Sequence, residues 1–263
     1  MVVHGPTEPT RPVAVVLHGV GSTAEFARRC LAGPLSHLGY DVLAPDLRGH
    51  AASTPLDNPR DHSLHHHVAD LAALARIVDI RLVAGLSLGA EVALRWACAR
   101  HAPGVEAHRL DGLLLCLPGV AGPSSGPAAA NRAAADELAS YGVADVLARM
   151  SEADGALPWV VDEVRASWSQ HDPPSLVAAL RAVAAEDPLP DSALAGLDVP
   201  VGIVGVTDDA AHPVEIARRL AAGLPRAALE TLALTDLAFD RSTLGRAAAH
   251  ALISARRGPP PAR

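Results

Sequence analysis

Short apolar runs of four to six residues alternate along the chain with longer segments in which apolar residues recur at helical spacing. Runs that are apolar almost throughout are typical of strands buried on both faces of a sheet. Helical segments separate them, so the pattern predicts an α/β fold with a mainly parallel, doubly wound sheet. The predicted strands are Val13–Leu17, Asp41–Ala44, Arg81–Ala84, Leu113–Leu117, Val201–Val206 and Leu229–Leu234.

Three helices are predicted with some detail at their ends. Ser22 and Glu25 form a capping-box pattern before a helix over Phe26–Leu38. A second helix over Glu91–Arg100 follows a strand almost directly, and a last one covers Asp240–Arg256.

The regular alternation stops between residues 120 and 195, where no convincing strand occurs and prolines interrupt helical patterns. We interpret this stretch as a mostly helical insertion. The predicted organisation is therefore a core in two parts, 1–119 and 196–257, with the insertion 120–195 between them. A disordered tail is expected over 258–263.

Composition and charge narrow the function classes. No apolar run is long enough to cross a membrane, although the mean hydropathy is +0.20. The first residues lack a basic segment followed by an apolar one, so we expect no signal peptide and a cytoplasmic protein. The net charge is −7 and the basic residues are scattered, which disfavours nucleic-acid and membrane partners.

All 22 basic residues are arginine, and the chain contains no lysine. This excludes lysine Schiff-base chemistry and nucleotide hydrolysis that needs a P-loop lysine. The cysteines Cys30, Cys98 and Cys116 are widely spaced, without a CxxC pair, so a zinc site or redox dithiol is not expected. We predict no metal and no cofactor.

Histidines are densest between residues 62 and 67. On one helix, His62, His66 and Asp70 would share a face and could bind a metal such as zinc. A solvated helix start is the favoured interpretation, because the sequence offers no second group of ligands.

The strongest chemical signal is the sequence GLSLG at 85–89, directly after a predicted strand and before a predicted helix. This context is that of a nucleophile elbow, in which Ser87 stands on a strained turn at the helix start. The sequence HGVG at 18–21 ends the first predicted strand. Its glycine turn could aim the N–H of Val20 at the same point as the N–H of Leu88, forming an oxyanion hole.

With these motifs the sequence resembles the α/β-hydrolase superfamily. The matching pieces are VVLHGVG, DVLAPDLRGHAAS, LVAGLSLGAEVAL and PVGIVGVTDDAAHPVEIARRLAAGLP. The resemblance implies an α/β-hydrolase fold, a helical lid over 120–195, Ser87 as nucleophile and an acid after the strand Val201–Val206. Ungapped alignment places Asp209 at the acid position, with Asp208 as the alternative.

The family's general base, a histidine, normally follows the last strand. Here no histidine occurs between His212 and His250, and Asp236 stands near the expected place. The candidates for the base are His212, His171 and His250, or none of them. Without a base, a serine hydroxyl is a poor nucleophile.

Three further residues are expected to bind a small-molecule substrate: His18 at the glycine turn, and Trp159 and Trp168 in the lid. The predicted function is hydrolysis of a small ester or thioester by Ser87. The alternative is a catalytically degraded relative that binds a ligand or partner through its lid and pocket.

Overall fold

A computed structural model describes residues 1–100, 110–153 and 155–258. Within these residues a seven-stranded sheet has the strand order β1-β3-β2-β4-β5-β6-β7. β1 pairs antiparallel with β3, and every other pairing is parallel. The strands are β1 Val2–His4, β2 Val13–Leu17, β3 Asp41–Asp46, β4 Ile80–Leu86, β5 Gly112–Cys116, β6 Val201–Val206 and β7 Ala227–Leu232.

Helices cover both faces of this sheet. They are α1 Ala24–His37, α2 Leu64–Leu74, α3 Leu88–Arg100, α4 Gly126–Glu152, α5 Pro158–Trp168, α6 Pro173–Val183, α7 Asp191–Ala195, α8 Val214–Gly223 and α9 Ser242–Arg257. Two short 3₁₀ helices cover Pro59–His62 and Leu234–Leu237. α1 and α9 pack on one face, while α2, α3 and α8 pack on the other.

The predicted fold class is confirmed, and its physical basis is visible in the strands. β2, β5 and β6 are buried at every position, so both of their faces contact helices rather than water. Burial of these apolar faces is the main force that holds the helices against the sheet. Because parallel strands all end at one edge, the loops after β2, β4, β5 and β6 share that edge.

Several predicted boundaries differ from the structure. The first helix begins at Ala24, because the hydroxyl of Thr23, not that of Ser22, accepts the N–H of Phe26 as the N-cap. The last strand runs two residues earlier than predicted. Of the predicted tail 258–263, all but Gly258 lies outside the described residues.

Helices α4 to α7 lie between β5 and β6 and are called the helical insertion below. α4 is interrupted by a kink at Gly142, whose φ of 78° lies outside the range of a right-handed helix. A separate apolar cluster joins α4 to α6 and includes Trp168. In the described part of the chain, no helix has the length and apolar character that crossing a membrane would need.

Candidate active site

Ser87 occupies the turn between β4 and α3 with a φ of 50°, in the left-handed region that side chains other than glycine rarely adopt. Its N–H donates to the carbonyl of Cys116 in β5, which holds the turn in this conformation. The serine is therefore outside the regular helix, as the elbow motif predicts.

The two glycines of GLSLG are required by close approach. A Cβ on Gly85 would lie 2.1 Å from the backbone of Gly89, and a Cβ on Gly89 would lie 2.3 Å from the carbonyl oxygen of Leu17. Neither position has room for a side chain. The sequence thus allows the helix start to pack tightly against the strands, with the serine on the outside of the turn.

His212 is the group that contacts the serine. Its Nε2 lies 2.9 Å from the Oγ of Ser87, and its Nδ1 lies 2.7 Å from Oδ2 of Asp209. Both His212 and Asp209 come from the loop between β6 and α8. With Nδ1–H donating to the carboxylate, Nε2 is free to accept the serine proton, which is the arrangement of a Ser-His-Asp triad.

Asp209 is held as a carboxylate in a fixed orientation. Its Oδ1 accepts the N–H of Ala211, and its Oδ2 accepts from His212. Burial raises the pKa of Asp209 and is the largest single effect, but the hydrogen bonds from His212 and the backbone outweigh it and leave the pKa below its ordinary value. The group is thus ionised at neutral pH, ready to stabilise an imidazolium.

The other candidates for acid and base lie elsewhere. Asp208 accepts the N–H of Leu234 at 2.5 Å, and Asp236 accepts the N–H of Ala233. His250 is exposed and pairs with Glu230, and His171 is buried with its Nδ1 donating to the carbonyl of Ser167. Within the described residues, His212 alone contacts Ser87 among the three histidines considered.

The glycine turn after β2 lies directly against the nucleophile. A Cβ on Gly19 would be 3.3 Å from the Cβ of Ser87. The N–H groups of Val20 and Leu88 donate no hydrogen bond within the described part of the chain. Leu88 is the first residue of α3, so its N–H also lies where a helix favours negative charge.

His18 holds this turn in place through two hydrogen bonds to the backbone. Its Nδ1–H donates to the carbonyl of Gly19 at 2.7 Å, and its Nε2 accepts the N–H of Leu47. The carbonyl of Gly19 and the N–H of Val20 belong to one trans peptide plane and point in opposite directions. Holding the carbonyl therefore sets the direction of the Val20 N–H.

The expectation that His18 contacts substrate needs correction. The side chain is completely buried, and both ring nitrogens are used by backbone groups. Burial lowers the pKa of His18 to about 4, so the ring is neutral and acts in support of the turn.

The two tryptophans of the insertion have different surroundings. Trp168 is buried against Gly21 of the glycine turn at 18–21, called the oxyanion turn below, and a Cβ on Gly21 would lie 2.8 Å from the tryptophan Nε1. Trp159 is half-buried, and the guanidinium of Arg241 lies 4.2 Å from the centre of its ring. The first borders the site through the turn, whereas the second packs on the side of α9.

The three residues of the alternative metal site, His62, His66 and Asp70, do not share a helix face. α2 begins at Leu64, so His62 lies in the preceding 3₁₀ helix and its Nε2–H donates to the carbonyl of Leu56. Asp70 is paired with Arg48 at 2.7 Å. Across the described ranges, no three histidine, cysteine or acidic side chains are arranged to hold a metal ion.

A cavity of about 750 Å³ lies away from this site, bordered by Ile77, Trp96 and Arg100. None of the residues around Ser87 lines it. The candidate site is therefore identified by the geometry of its side chains rather than by the size of a cavity.

Comparison with known proteins identifies the family and the fold of the chain. Residues 8–225 match the family model described as serine aminopeptidase, S33 (Hydrolase_4). A search of curated proteins gave no match. Among solved structures, the chain is similar to a hydrolase from Pseudomonas aeruginosa PA01, with 24% identity, a TM-score of 0.68, and coverage of 93% of this chain and 91% of that one.

Two further structures are similar at comparable levels. A thermophilic esterase from Thermogutta terrifontis has 21% identity and a TM-score of 0.68, with coverage of 88% of this chain and 84% of the other. The enol-lactonase from Burkholderia xenovorans LB400 has 22% identity and a TM-score of 0.67, with coverage of 88% and 86%. At these identities the likeness establishes the fold.

Proposed function

The chain belongs to the S33 serine aminopeptidase-like family of α/β-hydrolases. On this premise we propose that it is a serine hydrolase that cleaves a small-molecule ester or thioester. The observation that carries the proposal is the continuous hydrogen-bonded series from Ser87 through His212 to Asp209. A hydroxyl, an imidazole and a carboxylate in this order are the parts of an activated nucleophile.

In the proposed reaction, Oγ of Ser87 attacks the substrate carbonyl while Nε2 of His212 takes the hydroxyl proton. Asp209 stabilises the imidazolium that forms. The N–H groups of Val20 and Leu88 hold the negative oxygen of the tetrahedral intermediate. His212 then gives its proton to the leaving alcohol or thiol, and water releases the acyl group by the same steps.

The helical insertion is proposed to act as a lid. It borders the oxyanion turn through Trp168, so a substrate bound at Ser87 would lie between the insertion and the sheet edge. Closure over the site would exclude water and strengthen the electrostatic interactions within it.

The alternative of a degraded, ligand-binding relative was based on the lack of a base. A histidine in hydrogen-bond contact with Ser87 removes that argument. An intact strained turn at Ser87 also favours a working nucleophile, because a φ of 50° costs free energy that packing must offset.

A fluorophosphonate probe tests the proposal directly. We expect covalent labelling of Ser87, mapped by mass spectrometry, and loss of labelling in Ser87→Ala and His212→Ala. The matched control is His250→Ala, which removes an exposed histidine remote from the serine and leaves labelling unchanged. Absence of labelling in the folded wild-type protein would favour the ligand-binding alternative.

The bond type is tested by a substrate series at fixed acyl group. We expect turnover of p-nitrophenyl esters and of acyl thioesters. An aminoacyl p-nitroanilide belongs in the same series, because the family description names an aminopeptidase. Turnover of the anilide alone would replace ester hydrolysis by amide hydrolysis as the function.

A further inference from the structure

Five histidine side chains are packed together in the interior, apart from His212, and are called the histidine cluster. His50 lies at its centre, with ring centres 5.0 to 6.4 Å from those of the other four. All five are at least nine-tenths buried. The members are His18 in the oxyanion turn, His50 after β3, His62 in the 3₁₀ helix, His67 in α2 and His171 between α5 and α6.

The cluster is a point at which the helical insertion contacts the core. His171 belongs to the insertion and packs edge-on against His50, with ring centres 5.3 Å apart. Close by, the hydroxyl of Ser175 in α6 donates to the carbonyl of Gly49 and accepts the N–H of Leu56. The attachment therefore combines ring packing with two hydrogen bonds.

The hydrogen bonds of His18 require an uncharged ring. Its Nε2 accepts the N–H of Leu47, so a proton on that nitrogen would place two N–H groups against each other. No carboxylate of the described residues forms a hydrogen bond with any ring of the cluster. A positive charge here would lack a directly bonded counter-charge, which is costly in a buried site.

Other ring nitrogens of the cluster have no hydrogen-bond partner in the part of the chain that the structure describes. They are Nε2 of His50, Nδ1 of His62, both nitrogens of His67 and Nε2 of His171. Burial lowers the pKa of all five rings, to about 4 for His18 and about 3 for His67.

Nearby charges modify this effect without reversing it. Asp46, buried at the end of β3, attracts a proton to His18 and His171. Arg48 opposes protonation of His62 and His67, although it is itself paired with Asp70. Three smaller influences remain: Asp61 favours a positive charge on His62, His66 opposes one on His67, and the backbone of Ser22 favours one on His171.

We propose that the histidine cluster is an acid-sensitive attachment of the helical insertion, so that acidification releases the insertion from the core while the sheet remains folded. A histidine released into water takes up a proton near pH 6.5, whereas the buried rings resist protonation until lower pH. Between these values the released form binds more protons and is favoured as the pH falls. The inference does not depend on the proposed hydrolysis.

Release would separate Trp168 from Gly21 of the oxyanion turn, which provides a signal. The chain contains three tryptophans, so Trp96→Phe with Trp159→Phe leaves Trp168 as the single reporter. Its fluorescence is followed from pH 7.5 to 4, with far-UV circular dichroism on the same samples. We expect the fluorescence transition at a higher pH than the loss of secondary structure.

Hydrogen exchange measured by mass spectrometry, corrected for the intrinsic pH dependence, provides a second readout on the unmodified protein. Peptides from α5 and α6 are expected to lose protection before peptides from β4 to β6. The equilibrium constant for opening of α5 and α6 should rise as the pH falls, by up to tenfold per pH unit for each proton taken up.

Two substitutions remove single members of the cluster. His67→Phe breaks no hydrogen bond, since neither nitrogen of His67 has one in the described residues. His171→Phe keeps an aromatic ring against His50 and loses one bond to a carbonyl. In each we expect the transition at lower pH, with about one proton fewer taken up. His65→Asn, an exposed position on α2, is the matched control and should leave the transition in place.

Three results would overturn the proposal. One is simultaneous loss of the Trp168 signal and of the sheet, which would make the cluster a determinant of global acid stability only. Another is an unchanged transition in both His67→Phe and His171→Phe. The third is an equal shift in His65→Asn.

Discussion

The loop between β6 and α8 and the histidine cluster use the same side chain in opposite ways. In the loop, His212 is only partly buried and its Nδ1 lies against the carboxylate of Asp209, so a charged imidazolium has a partner. In the cluster, the rings are buried, no acid of the described residues forms a hydrogen bond with them, and burial keeps them neutral. The neighbours of an imidazole, more than its presence in a motif, decide whether it can exchange a proton.

The largest effect is expected from removal of the nucleophile or its base. Ser87→Ala and His212→Ala should each lower kcat for an ester substrate by about a million-fold, because the two groups act as one unit. The double variant should be no worse than either single one, and steady-state kinetics measures all three. A much smaller loss in His212→Ala would assign the proton transfer to another group.

A smaller loss is expected when the carboxylate of the pair is neutralised. Asp209→Asn should lower kcat by about ten-thousand-fold, because the imidazolium loses its counter-charge and the ring its fixed tautomer. Asp208→Asn is the matched control, since the carboxylate of Asp208 accepts the N–H of Leu234, whereas that of Asp209 bonds to His212. If Asp208→Asn were the more damaging change, the ungapped assignment of the acid would be wrong by one residue.

The cluster should be visible in the pH dependence of global stability. Because its pKa values are lowered in the folded state, the unfolded chain binds more protons between about pH 6.5 and 4. The free energy of unfolding should therefore fall as the pH decreases through this range, by about 1.4 kcal/mol per pH unit for each proton. Urea unfolding at a series of pH values measures the slope, and His67→Phe should reduce it by about one proton. A flat profile above pH 4 would show that the rings are hydrated enough to titrate normally.

Much of the fold follows from local sequence, and Ser87 and Asp209 of the candidate site could be predicted. Strands such as β2 and β6 are apolar throughout because both faces are covered, and this pattern is readable without tertiary information. The turn at Ser87 is equally local, since its two glycines lie within two residues of the serine. Asp209 could be placed because the family resemblance implies an acid after the strand Val201–Val206, and ungapped alignment favours Asp209 over Asp208.

The partner of the serine depended on the path of a loop. His212 stands three residues after Asp209, and that spacing was the available signal. That spacing is a weak signal, because the family resemblance implies a base in the loop after β7, where Asp236 stands. In the folded chain the loop after β6 brings the His212 ring close to Gly119, where a Cβ would lie 3.0 Å from the ring. A contact of this kind, between segments far apart along the chain, is not visible in the sequence.

The histidine cluster was beyond sequence reasoning for a different reason. Its members come from segments that are distant along the chain and meet only when the insertion packs on the core. The dense histidines at 62 to 67 could form a metal site by their spacing, yet the rings of His62 and His67 pack against His50 instead.

The position of His212 has a consequence for how the chain can be divided. All groups of the proposed reaction precede Pro213, so β7 and α9 supply packing but no chemistry. A backbone break in the turn between α8 and β7 would therefore give one fragment with the complete reactive set and another that only completes the core. Mixing the two pieces should make hydrolysis a direct report of fragment assembly, and would make this protein a candidate for split-enzyme sensors.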